Sequence, residues 1–313
     1  MVRTRLAWLG LAAPLALAAC GGDDDASPDA RPAVDAEPGT PDARVPRTVF
    51  GGDRPVTLRV PTGYVEGTPT PLVLALHGYS VDGKFMEGYT GFGTLFETEG
   101  FLLAAPNGAI DEGGDRFWNG TDACCDLFGS GVDDEAYLLD LLDEIALDYT
   151  VDPDRVYLIG FSNGGFMSYR LACHHADRFA AVVSLAGATY DDALDCTPSA
   201  PVSVLQVHGT VDPTIQYDGG TIDVEGAPVT YPSAQGTVER WSTSNGCTGS
   251  GAGTARDLVG SLAGDETAVL DATGCPAGVD VALWTVTGGS HVLPLSPDAR
   301  ASLWAWLEAH PRP

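Results

Sequence analysis

The sequence predicts a single α/β domain, a mostly parallel central sheet with helices on both faces. Three observations predict it. Short apolar runs rich in Val, Leu and Ile recur along the chain, each closed by glycine or a polar turn, as buried strands are. Longer stretches between them carry apolar residues at helical spacing. The two patterns alternate, and strands alternating with helices build a parallel sheet covered on both sides. With 313 residues, 44% of them hydrophobic, the chain can bury such a core without needing staples.

The first element lies outside that domain. Arg3 and Arg5 precede an alanine-rich apolar run, residues 6–19, that is too short for a stable membrane span. The run ends in Leu17-Ala18-Ala19-Cys20. This tetrapeptide resembles the bacterial lipobox, which makes residues 1–19 a lipoprotein signal peptide and Cys20 a lipidated N-terminus. Acyl chains on Cys20 would then be the only link to a membrane, each buried methylene contributing about 0.8 kcal/mol. A plain secretory signal is the alternative. Residues 20–47 are rich in Asp, Pro, Ala and Gly with no apolar periodicity. Such a stretch cannot bury enough surface to offset its ordering entropy, so a disordered acidic tether is expected there. The folded domain is expected over residues 48–313.

Within the domain, strands are expected at residues 56–60, 72–76, 101–105, 156–159, 181–185, 202–207 and 281–286. A helix is expected at 134–149, where Leu138, Leu141, Leu142 and Ile145 share a face and acidic residues occupy the first turn. Two more are expected at 163–175 and 298–310, the last with Leu303, Trp304 and Leu307 inward. The net charge of -27, with Lys84 the sole lysine, excludes nucleic acid and anionic surfaces as partners because either polyanion would be repelled. It reads as the solvated surface of an exported protein.

The centre of the chain carries the chemistry. The strand at 156–159 runs into Gly160-Phe161-Ser162-Asn163-Gly164-Gly165 and then into a helix. Strand, tight glycine turn and helix together throw a serine hydroxyl clear of the sheet, so Ser162 is the expected nucleophile. A serine needs a histidine to take its proton and a carboxylate to orient that histidine. Asp212, in His208-Gly209-Thr210-Val211-Asp212, follows the strand at 202–207, and His291 follows the strand at 281–286 through Gly288-Gly289-Ser290. Both stand past strand C-termini, where open α/β sheets bind ligands. Asp191, Asp192 and Asp195 read instead as a solvated patch, His77 and His208 as structural histidines, and His174, His175 and His310 as helix and tail residues. An oxyanion hole would use the N–H of Asn163 and one from the loop after residue 76, with Tyr79 chosen over its neighbours Gly78 and Ser80. Trp118, in a loop with Phe117 and Asn119, is a candidate to stack on an aromatic or sugar ring of a substrate, or else packs its own loop.

Six cysteines remain after Cys20, an even number that favours disulfides in an exported chain. Cys247 and Cys275 flank a Gly/Ala/Asp-rich loop and form the first expected bridge, Cys173 and Cys196 the second. Cys124 and Cys125 are left to bridge each other or distant partners. No Cys-x-x-Cys or close histidine pair points to a metal, and the chemistry calls for no cofactor.

Taken together, Leu76-His77-Gly78, Pro106-Asn107-Gly108, Trp118-Asn119-Gly120, Cys124-Cys125 with Val132-Asp133-Asp134, the turn at Ser162, the stretch at 208–212 and Gly288-Gly289-Ser290-His291 resemble one branch of the α/β-hydrolase fold. That branch comprises secreted polyhydroxybutyrate depolymerase-like and feruloyl esterase-like enzymes. The resemblance implies a secreted, monomeric serine esterase acting on feruloyl or acetyl esters of plant polysaccharide, or on short hydroxyalkanoate esters. Where that group places tryptophan and proline after its histidine, this chain has Val292-Leu293-Pro294. Where tannase-type relatives place cysteines beside the serine and histidine, it has Phe161 and Ser290. The competing readings are a prolyl-oligopeptidase-like peptidase and a surface lipoprotein that uses a retired hydrolase fold for binding.

Overall fold

Two alternating sets of apolar side chains on each strand determine the architecture. In the computed structural model, which describes residues 46–313, Leu72, Leu74 and Leu76 of one strand point into one core while Val73 and Ala75 point into the other. This period-2 burial on both faces is what a sheet sandwiched between helices requires. The eight strands of the sheet are β1 (Thr70–Leu76), β2 (Leu102–Ala104), β3 (Val151–Phe161), β4 (Ala181–Leu185), β5 (Ser203–Gly209), β6 (Gly249–Ala252), β7 (Thr267–Thr273) and β8 (Val281–Val286). Their order is β6-β7-β8-β5-β4-β3-β1-β2. The six strands from β8 to β2 are parallel to their neighbours, and β7 and β6 add an antiparallel edge.

Helices α3 (Asp134–Asp148), α4 (Asn163–His174) and α5 (Ala234–Ser244) contribute Leu138, Leu141, Ile145, Leu171 and Trp241 to the first core. Helices α1 (Gly83–Thr90), α2 (Phe92–Glu99) and α6 (Pro297–Glu308) contribute Met86, Phe92, Leu303 and Trp304 to the second. Trp304 stacks on Phe101 with ring centroids 4.1 Å apart. Local signals set the helix ends. The Asp133 side chain accepts the Ala136 N–H at 3.0 Å, and Ser296 accepts the Ala299 N–H at 3.0 Å ahead of Pro297.

Two expectations need correction. The run at 56–60 is not a strand of the central sheet: only Val56–Thr57 is strand, paired antiparallel with Val49–Phe50, and the run meets the sheet at an isolated bridge, where Arg59 and Leu103 of β2 exchange backbone hydrogen bonds at 2.8 and 3.0 Å. The Gly/Ala/Asp-rich segment between Cys247 and Cys275 is not a plain loop but holds β6 and β7, because Val269 packs into the second core and both strands find a ladder partner. Helices α1, α2 and α5 and a hairpin of Gly220–Val224 with Ala227–Tyr231 were not anticipated. Residues 1–45, and with them Cys20, the signal peptide and nearly all of the tether, lie outside the described residues.

Candidate active site

The three central parallel strands β3, β5 and β8 each deliver one side chain to the same sheet edge. Phe161 ends β3 and Ser162 follows it with φ 52° and ψ -118°, a left-handed conformation that costs a non-glycine residue energy and turns the hydroxyl out of the sheet. The turn closes only because its neighbours are small. A Cβ on Gly160 would collide with the Gly164 carbonyl, and one on Gly164 would collide with the Leu76 carbonyl at the end of β1.

Asp212 lies three residues past β5 and His291 five past β8. The His291 Nδ1–H donates to Asp212 Oδ2 at 2.7 Å, which leaves Nε2 to accept the Ser162 hydroxyl at 3.0 Å. This continuous line joins residues up to 129 positions apart in sequence. The Asp212 carboxylate is fully enclosed. Burial alone would push it up, but hydrogen bonds from His208 and His291 and the Thr214 N–H hold it well below the usual carboxylate range. Its Oδ1 accepts the N–H groups of Thr214 at 2.8 Å and Ile215 at 2.9 Å. An ionised, four-point-anchored carboxylate is what an orienting acid needs.

His208 belongs to this support, although sequence gave only a structural reading for it. Its Nε2 lies 3.3 Å from Asp212 Oδ2 and donates to the Ile215 carbonyl at 2.7 Å. Gln206 Nε2 donates to its Nδ1 at 3.1 Å, and the Tyr169 hydroxyl donates to Gln206 Oε1 at 2.7 Å. Nothing in residue spacing could have linked Tyr169 and Gln206 to the acid; only the packing of α4 on β5 does. The remaining histidines lie elsewhere. His174 and His175 contact Glu135, and His310 contacts Asp280. Asp191 pairs with Arg240, and Asp192 caps a short turn.

Asn163 opens α4 directly after the serine, so its N–H sits at the positive end of the helix. The N–H groups of Asn163 and Tyr79 have no acceptor among the described residues, whereas the Ser80 N–H is committed to the Arg116 carbonyl at 2.9 Å. The Tyr79 hydroxyl donates to Asp111. Burial and that carboxylate raise the phenol far above its ordinary range.

Trp118 does not stack on anything from solvent. Its side chain is fully buried, 5.1 Å from the His77 ring and 6.4 Å from the Tyr137 ring, with Arg54 5.9 Å from its centroid. The expectation of a substrate-stacking tryptophan is therefore corrected: three flanking side chains close over the ring. Its loop is held by hydrogen bonds to its neighbours. The Asn119 N–H donates to buried Asp134 at 2.7 Å, Asn119 Nδ2 donates to the Val132 carbonyl at 2.9 Å, and the Cys125 N–H donates to the Trp118 carbonyl at 3.2 Å. The cysteines pair as Cys124–Cys125, Cys173–Cys196 and Cys247–Cys275. The vicinal pair packs with Phe166, Ala188, Ile215 and Tyr231 in a satellite cluster against which Tyr79, Leu127, Ile222 and Val229 also lean. Val211 and Val292, 60% and 51% exposed, flank Asp212 and His291. Among the described residues no three His, Cys, Asp or Glu side chains converge as a metal site.

Comparison with known proteins places the chain in a family. The sequence profile of the family described as Esterase PHB depolymerase matches residues 56–261, a span that includes Ser162 and Asp212 but not His291. The putative esterase NocK of Nocardia uniformis subsp. tsuyamanensis is 31% identical over 93% of this chain and 90% of its own length. Feruloyl esterase B of Piromyces equi is 29% identical over 76% of this chain, which spans only 42% of that longer protein. The acetyl xylan esterase from Aspergillus awamori shares the fold, with a TM-score of 0.58 over 82% of this chain and 94% of its own at 16% identity. A matched profile over most of the folded region and a near full-length relative lead to one conclusion: the chain belongs to the Esterase PHB depolymerase family, a family of carboxylic ester hydrolases built on the α/β-hydrolase fold.

Proposed function

We propose that this protein is a serine esterase in which Ser162, His291 and Asp212 form the catalytic triad. The observation that carries the reading is the unbroken line Ser162 Oγ to His291 Nε2 to Asp212 Oδ2, at 3.0 and 2.7 Å. As Ser162 attacks the ester carbonyl, its proton passes to His291 Nε2, and the imidazolium is stabilised by ionised Asp212. The tetrahedral oxyanion is met by the N–H groups of Asn163 and Tyr79. Collapse expels the alcohol, which takes the proton from His291, and leaves an acyl group on Ser162. Water then gives a proton to His291 and its oxygen to the acyl carbon, and the acid departs as Ser162 regains its proton.

The proposed substrates are feruloyl or acetyl esters of plant polysaccharide, or short hydroxyalkanoate esters. Similarity to a feruloyl esterase and an acetyl xylan esterase supports the first pair. Exposed Val292, next to the general base in sequence, and exposed Val211, next to Asp212, support apolar contact with short or aromatic acyl groups. Three disulfides support an oxidising, extracytoplasmic location for residues 48–313. The lipid anchor on Cys20 and the tether to residue 47 complete the proposal: Cys20→Ala should move the protein from the membrane to the soluble fraction, and retention in the membrane would refute the anchor.

The substrate is tested with methyl ferulate, acetylated xylan, hydroxybutyrate oligomers and p-nitrophenyl esters of rising chain length. Hydrolysis of at least one of these, lost in Ser162→Ala, is expected. Hydrolysis by Ser162→Ala at the parent rate would overturn the mechanism.

A further inference from the structure

We propose that Trp118 is a positioning residue that joins the two halves of the oxyanion hole. The proposal rests on the assignment of the Asn163 and Tyr79 N–H groups to that hole, and it concerns what aims them. Asn163 does more than follow the nucleophile. Its side chain is fully buried and clasps the main chain of Trp118 at two points: Oδ1 accepts the Trp118 N–H at 2.7 Å and Nδ2 donates to the Trp118 carbonyl at 2.8 Å. That carbonyl also accepts the N–H groups of Gly120 and Cys125, at 2.9 and 3.2 Å, so it is a fixed post. A residue whose side chain is held at two points has little freedom to swing its own N–H. The first donor is thereby tied to the Trp118 backbone.

The second donor is tied to the Trp118 ring. The indole packs 5.1 Å from the imidazole of His77, which is itself fully buried. The Gly108 N–H donates to His77 Nε2 at 2.9 Å, so the ring proton must be on Nδ1, and Nδ1–H donates to the Gly78 carbonyl at 2.7 Å. Burial keeps His77 neutral by lowering its pKa to about 4, which preserves this tautomer across neutral pH. A trans peptide places its C=O and the following N–H on opposite sides. Drawing the Gly78 carbonyl onto His77 therefore turns the Tyr79 N–H away from His77, as an oxyanion donor requires.

The path runs from the Asn163 amide to the Trp118 backbone, through the Trp118 ring to His77, and from His77 to the peptide that carries the Tyr79 N–H. Trp118 thus touches both anchors, Asn163 through hydrogen bonds and His77 through its ring. The indole N–H has no partner among the described residues, so the ring is held by shape, and its loss should act on position rather than on a hydrogen bond of its own. Oxyanion donors act on the transition state more than on bound ester, so a displaced frame should lower kcat and spare KM.

The test measures kcat and KM with p-nitrophenyl acetate for Asn163→Ala, His77→Gln, their double variant, Trp118→Phe and Ser162→Ala, with thermal unfolding of each. Asn163→Ala keeps the backbone N–H but loses the clasp, and a kcat lowered about 10- to 100-fold with KM within about threefold is expected. If both anchors hang from Trp118, the double variant should lose no more than about threefold beyond the worse single one. Should the alanine or glutamine variants fail to fold, Trp118→Phe decides, since it keeps the backbone bonds and most of the apolar volume; a kcat about fivefold lower at unchanged KM and an unchanged acid limb of the pH profile is expected. Parent-like kcat in Asn163→Ala or Trp118→Phe, or losses that multiply in the double variant, would overturn the frame while Ser162→Ala remains inactive. Full activity in Ser162→Ala would overturn the underlying oxyanion assignment instead.

Discussion

At the scale of single residues, the acid is the most heavily supported group. Asp212 receives two backbone N–H groups on Oδ1 and two histidines on Oδ2. Asp212→Asn should therefore fold but present His291 with the wrong partner, lowering kcat by about 10⁴ with p-nitrophenyl acetate and changing KM little. His77 gives a pH prediction with a definite sign. Its folded pKa of about 4 lies below the ordinary value of 6.5, so the unfolded chain binds the extra proton between them, and stability falls as pH drops from about 6.5 to about 4. That difference in pKa, set by burial, opposed by the hydrogen bond to Gly78 and by Asp82 and reinforced by Arg116, corresponds to about 3 kcal/mol, and urea unfolding of the parent against His77→Asn across that range measures it. Legibility at this scale was uneven. Glycine spacing exposed Ser162, and strand ends exposed Asp212 and His291. Trp118 misled because a sequence shows an aromatic residue in a polar loop, not the His77, Tyr137 and Arg54 side chains that close over it.

Elements were readable where pattern and burial agree. The run at 72–76 extends by two residues to Thr70, and the helix at 134–149 ends one residue early, since each has a clear apolar face and helix α3 a capping aspartate. Strands β6 and β7 were not read as strands: Gly249 and Gly251 dilute the alternation of β6, β7 lies in the Gly/Ala/Asp-rich segment expected as a loop, and it is pairing, β7 on β8 and β6 on β7, that makes them strands. The Cys247–Cys275 bridge ties the end of α5 to the end of β7 across a loop of 28 residues. Cys247→Ser with Cys275→Ser should lower stability by about 3–4 kcal/mol in denaturant unfolding while leaving kcat near the parent value, because β7 runs antiparallel to β8 and its Cys275 end faces away from the strand end that leads to His291. Trp304→Ala, which removes the ring stacked on Phe101, should cost about 3–5 kcal/mol, read in the same way.

For the molecule as a whole, charge and topology divide the work. The net charge of -27 makes an anionic substrate's approach unfavourable at long range. Raising salt from about 10 mM to about 0.5 M should therefore increase kcat/KM for an ester bearing a carboxylate more than for neutral p-nitrophenyl acetate. A ratio that does not change with salt would count against this. Topology matters more: order β8-β5-β4-β3 brings the ends of three parallel strands together, so Ser162, Asp212 and His291 meet although the family profile ends at residue 261. That meeting is the central claim, and stoichiometric labelling tests it most directly. A fluorophosphonate should add one mass equivalent to the protein, on the peptide containing Ser162, with labelling abolished in Ser162→Ala and slowed by about 10³ or more in His291→Ala. Labelling at another residue, or at the parent rate without His291, would contradict it.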